Sequence, residues 1–136
     1  MRDEWGSKNR TIELHKEGSE IFRPDKNSVD FCFTSPPYFD WEKYSDEDTQ
    51  SYKKYDMVEI WIEEFLRKTI ENTYYGLKQG GICAMNVADT KRIKNFESET
   101  IRLAVETGYK HIYTWKLQLS SQQGEPKYEP VFIFQK

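Results

Sequence analysis

Six consecutive residues carry the groups in this sequence best suited to holding a flat, polar ligand. They are Thr34, Ser35, Pro36, Pro37, Tyr38 and Phe39. Proline fixes its own φ and has no backbone donor, so the two prolines make a stiff corner that presents carbonyl oxygens beside the serine hydroxyl. A hydroxyl and a carbonyl can accept the two hydrogens of an exocyclic amino group while an aromatic ring stacks on the face of the ligand. The corner is therefore predicted to grip a flat molecule by its amino group.

Hydrophobic periodicity predicts the elements that position this corner. Residues 29–34 form an apolar run interrupted only by Asp30, which is typical of a strand covered on both faces, as in parallel sheets. The rest of the pattern predicts a short strand at 11–15, a helix opened by the capping-box pair Asp56 and Glu59 and ending near Gly76, and a strand at 81–87. It then predicts a helix that starts at Ser98 or a near neighbour and stops at Gly108, followed by strands at 109–119 and 131–134.

This alternation of strands and helices predicts an α/β fold. The expected sheet is mixed and mostly parallel, and it closes in an antiparallel C-terminal hairpin. Residues 1–136 are expected to form a single domain in which residues 1–10 are flexible. Ligands of open α/β sheets bind beyond the carboxyl ends of the strands, and the corner follows such an end.

Composition limits the classes of function. The net charge is −3, whereas a free-standing nucleic-acid binder is usually basic. No apolar run approaches the roughly 20 residues that span a membrane, and the N-terminus has no signal-peptide core, so a soluble cytoplasmic protein is expected. Cys32 and Cys83 are expected to be buried reduced thiols, and the well-separated His15 and His111 predict no metal site.

Residues 34–38, Thr-Ser-Pro-Pro-Tyr, resemble the catalytic motif of the amino-directed DNA methyltransferases. These enzymes transfer a methyl group from S-adenosylmethionine to N6 of adenine or N4 of cytosine. Similar residues occur at 27–30, around Trp61 and Phe65, at 77–81, at 86–89 and at 128–130. The resemblance covers residues 11–136 in pattern, is individually specific at 34–38, and is nearest to methylases of phage and prophage origin. It implies a Rossmann-like methyltransferase fold and a place in restriction-modification.

The resemblance also implies a direct displacement at the sulfonium methyl. The Ser35 side chain and the Pro36 carbonyl would accept the amino hydrogens and localise the nitrogen lone pair toward the methyl group, within the frame that Pro37 completes. The base would leave the duplex, stack on Tyr38 and meet Phe39 as a second wall. A serine at the first motif position leans toward cytosine N4 and does not exclude adenine N6, so the target base stays open.

The cofactor motif of the family is missing from the sequence. Its members use a Phe-x-Gly-x-Gly turn and an acidic residue after the next strand, and neither occurs here. The resemblance assigns cofactor contacts to Thr34 and to Gly18, Ser19 and Glu20, although a plain turn is the alternative interpretation of the last three. The chain is therefore expected to be an incomplete fold, the catalytic half of a DNA methyltransferase, as a fragment, a truncated gene or one piece of a split enzyme.

Three functional hypotheses remain open. The first is an enzyme component that acts on DNA with a second chain carrying the cofactor half. The second is a non-catalytic remnant or DNA-contacting module, and the third is a methyltransferase of the same fold that acts on RNA or protein. An incomplete sheet would also expose the edge of strand 29–34, which predicts a homodimer across that edge.

Overall fold

The computed structural model describes residues 10–37, 58–91, 93–119 and 124–136. Its elements are β1 (Val29–Thr34), α1 (Val58–Trp61), a π-helical segment (Ile62–Leu66), α2 (Arg67–Gly76), β2 (Leu77–Asn86), α3 (Phe96–Thr107), β3 (Lys110–Leu119) and β4 (Lys127–Gln135). No helix within these ranges is both long and apolar enough to cross a bilayer.

The four strands form one mixed sheet in the order β1-β2-β4-β3. β1 runs parallel to β2, whereas β4 is antiparallel to both β2 and β3. The mixed sheet and the antiparallel C-terminal hairpin are confirmed. The expectation of a mostly parallel sheet is wrong for the described residues, because the hairpin inserts β4 beside β2 and so makes two of the three pairings antiparallel.

One face of the sheet carries the hydrophobic core. The helical stretch from 58 to 76 and α3 pack on this face, and their apolar side chains meet those of alternate strand residues. The fully buried members with the largest side chains are Trp61, Phe96, Phe134, Leu66, Ile70, Leu77, Met85, Ile93 and Leu103. Ile60, expected in the buried stripe, is 41% exposed, and Asp56 of the predicted capping box lies outside the described residues.

The opposite face, here called the open face, is also apolar. Strand register places its members in one continuous patch: Phe31, Phe33, Ile82, Ala84, Val131, Ile133, Tyr113, Trp115 and Leu117. Phe31 and Phe33 are 59% and 61% exposed. The expectation that β1 is covered on both faces is therefore wrong for the described residues, since the helical stretch from 58 to 76 and α3 both pack on the other face.

The structure differs from the sequence prediction at residues 11–15 and agrees with it at the start of α3. The strand predicted at 11–15 does not form, and Ile12 and Leu14 are highly exposed there. The helix predicted to start at Ser98 or a near neighbour begins at Phe96, and its N-cap residue, Asn95, makes no side-chain capping hydrogen bond. The Asp89 carboxylate accepts a hydrogen bond from the Glu97 amide at 2.8 Å, and the Glu97 carboxylate accepts one from the Asp89 amide at 3.2 Å. This reciprocal pair satisfies a free N-terminal donor of α3 from outside the helix.

Gly108 ends α3 in a conformation that other residues rarely adopt. Its φ is 126°, and a Cβ placed there would lie 2.7 Å from the Tyr74 hydroxyl oxygen. We therefore expect Gly108→Ala to lower the free energy of unfolding by about 1–3 kcal/mol, measured by denaturant titration. Gly80→Ala is the matched control, because Gly80 also has a positive φ but has open space around it. An equal loss at both positions would contradict a contribution from the Tyr74 contact.

Candidate functional site

The predicted corner lies at the carboxyl end of the edge strand β1. Thr34 is the last residue of β1, Ser35 is exposed, Pro36 is buried and Pro37 is half-buried. The buried proline anchors the corner against the domain while the serine before it is exposed to solvent. Tyr38 and Phe39, the predicted stacking residues, lie outside the described residues.

Two further segments reach the same edge of the sheet. Thr34 pairs with Met85, so the next residue of β2, Asn86, lies beside the start of the corner. The Asn86 side-chain amide donates to the Pro130 carbonyl at 3.0 Å, which ties the end of β2 to β4. The 86–89 and 128–130 segments singled out in the sequence are thus brought to the carboxyl edge by the strand register.

A cavity of about 390 Å³ lies between β1, α2 and the segment before β1. This volume falls within the range of small-molecule sites. Its lining comprises Ser19, Phe22, Pro24, Val29, Phe31, Cys32, Phe33, Thr34, Thr69, Asn72 and Thr73. Ser19 and Thr34, two of the positions assigned to cofactor contacts, therefore line one cavity that adjoins the corner.

Hydrogen bonds hold the wall of this cavity that precedes β1. The Ser19 and Thr69 hydroxyl oxygens are 2.9 Å apart, and the Asn72 side-chain amide donates to the Ser19 carbonyl at 3.0 Å. Arg23 Nε donates to Asn72 Oδ1 at 2.9 Å. Since Thr69 and Asn72 are almost fully buried, these contacts satisfy polar groups that would otherwise be costly to bury.

Gly18 and Glu20 flank the cavity and are not among its described lining residues. The Gly18 carbonyl accepts hydrogen bonds from the amides of Ile21 at 2.9 Å and Phe22 at 2.8 Å. These bonds make residues 18–22 a compact turn, which gives Gly18 a structural role. Only Ser19 of the predicted turn points to the cavity.

Sequence reasoning missed the contribution of α2 to this site. Thr69, Asn72 and Thr73 follow the i, i+3, i+4 spacing of one helix face, and Gly76 continues it. This stripe of small and polar residues interrupts a helix that is otherwise apolar on its buried side. The interruption was the signal available in the sequence.

The groups at this edge are suited to binding a ligand and accepting its hydrogen bonds. The corner offers a hydroxyl and backbone carbonyls, and the cavity offers hydroxyls and an amide. Within the ranges that the structure describes, no three His, Cys, Asp or Glu side chains are grouped so as to hold a metal ion.

No protein-family model matches the sequence, and no curated protein matches it. Among solved structures, a SAM-dependent methyltransferase of Methanosarcina mazei is similar with a TM-score of 0.54 at 13% identity, over 88% of this chain and 65% of that one. A proposed DNA modification methylase of Thermus thermophilus is similar in two structures. The first has a TM-score of 0.61 at 16% identity, over 88% of this chain and 50% of that one. The second, a complex with S-adenosyl-L-methionine, has a TM-score of 0.55 at 15% identity, over 87% of this chain and 51% of that one.

The present chain thus spans between half and two thirds of the length of these neighbours. At such identities the likeness concerns the path of the backbone. Together with the α/β architecture and its mixed sheet, it shows that this chain has the fold of the SAM-dependent methyltransferases, over part of their length.

Proposed function

We propose that the chain is the catalytic half of a DNA methyltransferase that acts on an exocyclic amino nitrogen, N6 of adenine or N4 of cytosine. The observation that carries the proposal is the position of Thr34–Pro37, at the carboxyl end of an edge strand and next to a cavity of ligand size. This is the edge at which α/β sheets bind their ligands. The fold shared with SAM-dependent methyltransferases and with a proposed DNA modification methylase supports the same interpretation.

The chain's own residues would activate the amino group by accepting its hydrogens. The exposed Ser35 hydroxyl oxygen takes one N–H, and the carbonyl of the anchored Pro36 takes the other. Because the nitrogen lone pair is delocalised into the base, fixing both hydrogens favours the geometry in which that lone pair points at an electrophile. Pro37 keeps the acceptors from turning away, and Tyr38 and Phe39 are assigned the faces of the flipped base.

The described residues fit S-adenosylmethionine only in part. When bound, this cofactor supplies an electrophilic methyl group on a sulfonium sulfur. The cavity has a suitable volume, an apolar wall at Phe22 and Val29, and the hydroxyl of Thr34 nearest the corner. However, Ser19 is already hydrogen-bonded to both Thr69 and Asn72, and none of the described lining residues is acidic. This incomplete donor set supports a second chain that carries the cofactor half.

Ser35→Ala is expected to reduce methyl transfer by about 100- to 1,000-fold, the usual cost of losing one preorganised polar contact to the reacting group. DNA and S-adenosylmethionine would be incubated with the chain, alone and in lysate of its source cells to supply a second chain. Nucleoside mass spectrometry would then quantify N6-methyladenine and N4-methylcytosine. The identity of the product resolves the target base.

Ser28→Ala is the matched control, because Ser28 lies at the opposite end of β1 and its hydroxyl donates to the Asp25 carbonyl at 2.6 Å. It should leave the rate unchanged. Methylated RNA or protein in place of DNA would support the third hypothesis and overturn the DNA assignment. Equal activity of Ser35→Ala and the unaltered chain would remove Ser35 from the reaction.

The non-catalytic alternative, a remnant or DNA-contacting module of the same fold, is favoured by the hydrogen bonds that join Ser19 to Thr69 and to Asn72. A cavity whose polar groups satisfy one another has less to offer a ligand. Calorimetric titration with S-adenosylmethionine and S-adenosylhomocysteine separates the alternatives for the isolated chain. Micromolar binding supports the enzyme, whereas no binding at millimolar ligand supports the module or a chain that requires its partner.

We further propose that the free edge of β1 mediates association, most simply as a homodimer. β1 is terminal in the sheet of the described residues, and its exposed rings lie beside that edge. Unpaired strand edges readily pair with another chain. DNA is the proposed substrate, and a net charge of −3 is consistent with phosphate contacts supplied by a partner chain.

A further inference from the structure

The two cysteines of the chain stand opposite each other on adjacent strands. Cys32 of β1 is the direct register partner of Cys83 of β2. Neighbouring strands lie about 4.8 Å apart, which is within the Cα separation of about 4.4–6.8 Å found in disulfides. Both side chains are on the helix-covered face, since Cys83 belongs to the core and Cys32 packs against it. Both thiols are free.

The two thiols differ in access. Cys32 is half-buried and lines the cavity beside the corner, whereas Cys83 is fully buried behind it. Cys83 Sγ lies 4.0 Å from the Thr73 hydroxyl oxygen, which is 2.9 Å from the Tyr109 hydroxyl oxygen. A reagent that enters the cavity therefore meets Cys32 first and finds a second sulfur directly behind it.

The pKa values of the two thiols favour the same order of reaction, with Cys32 before Cys83. A hydrogen bond from the Cys83 thiol lowers the pKa of Cys32, against the opposing effect of burial. The same contact and burial raise the pKa of Cys83. Since the thiolate is the reactive form, Cys32 is the sulfur that attacks and Cys83 is the one that resolves.

We propose that Cys32 and Cys83 form a thiol-modification site that takes peroxides and closes to a disulfide between β1 and β2. The Cys32 thiolate attacks one oxygen of hydrogen peroxide, the O–O bond breaks and hydroxide leaves, which gives a sulfenic acid. The Cys83 sulfur then attacks the Cys32 sulfur, the S–O bond breaks, and hydroxide leaves and takes up the proton that Cys83 gives away. In sum, two thiols and one peroxide become one disulfide and two waters.

The disulfide would fix the strand that carries the corner. β1 pairs only with β2 among the described strands, and Cys32 lies three residues before Ser35. A covalent link at this point would hold the edge strand in register and change one wall of the cavity. This chemistry depends on the positions of the two sulfurs and does not rest on methyl transfer.

The test is intact-mass analysis of the native chain after treatment with an equimolar amount of hydrogen peroxide. The expected product is a monomer lighter by two hydrogen atoms, reversible by a thiol reductant, with a proteolytic peptide pair joined through Cys32 and Cys83. In Cys83→Ser, Cys32 should stop at the sulfenic acid and be trapped by dimedone. In Cys32→Ser, the buried Cys83 should stay unmodified.

Phenylarsine oxide provides a readout on the unaltered chain, which removes dependence on how well the variants fold. One arsenic bonds two sulfurs with loss of water, so a single adduct that 2,3-dimercaptopropanol reverses is expected. A native chain that ends as a stable single-oxygen adduct at Cys32 would overturn the proposed site. Disulfides that form only between chains, or thiols that react only after unfolding, would overturn it as well.

Discussion

Trp61→Ala should cost the domain about 3–5 kcal/mol of unfolding free energy, because it removes the largest fully buried side chain among the described residues. Trp61 stacks on Phe65 at 5.4 Å between ring centroids and meets Phe96 edge-on at 5.4 Å. The indole thereby joins the helical stretch after Val58 to α3. A loss of this size is a large fraction of the roughly 5–15 kcal/mol that stabilises a typical domain. Denaturant titration followed by circular dichroism measures it.

Trp115→Ala is the matched control for this prediction. It makes the same chemical change on the open face, where Trp115 is 58% exposed. The cost for the monomer should stay below about 1 kcal/mol, since little packing is lost at an exposed site. A loss at Trp61 as small as the loss at Trp115 would mean that the indole contributes little to the packing of the helices.

Replacing Phe31 and Phe33 by serine should weaken self-association by about a hundredfold. A minority of interface residues, clustered near the centre, each cost more than about 1 kcal/mol, and two such rings at about 1.4 kcal/mol each would weaken affinity by a factor of ten apiece. Both rings are exposed on the open face next to the free edge of β1, so the folded monomer loses little. Sedimentation velocity across the micromolar range compares the variant with the unaltered chain.

The matched control is the double change Ile12→Ser and Leu14→Ser. These side chains are 87% and 90% exposed and precede the sheet, so the apolar surface removed lies elsewhere. It should leave the sedimentation coefficient distribution unchanged. A clean monomer of the unaltered chain at high micromolar concentration would argue against the proposed dimer altogether.

The sequence carried enough information to predict most elements but not the extent of β2. The pattern predicts a strand at 81–87 that starts at the second residue of the Gly80–Gly81 pair, yet β2 begins at Leu77. Gly80 adopts a φ of 81° within the strand, and its amide donates to the Lys136 carbonyl at 2.8 Å. The parallel register jumps accordingly from Leu77 to Ile82 while β1 advances from Val29 to Phe31. A glycine pair that lies within an irregular β-ladder has the same local sequence pattern as a glycine pair that ends a strand.

The candidate site could likewise be predicted only in part. The corner could be predicted because two prolines beside a serine and aromatic residues, directly after an apolar run, indicate a stiff turn with hydrogen-bonding groups. The cavity was not, because it depends on the segment around Ser19 crossing α2, which lies 50 residues further along the chain at Thr69. Thr69 and Asn72 acquire their roles only from that contact, and no local pattern reports on it.

The position of β1 at the edge of the sheet has a consequence for the motion of the corner. A strand paired on one side engages only alternate backbone amides, so about half of the amides of Val29–Thr34 have no partner strand within the described residues. Those amides should exchange with solvent deuterium much faster than their neighbours in the same strand. The exchange rate of the amides that are hydrogen-bonded to β2 then reports how often the β1–β2 ladder opens. That local equilibrium, rather than global unfolding, sets how firmly Ser35 is held.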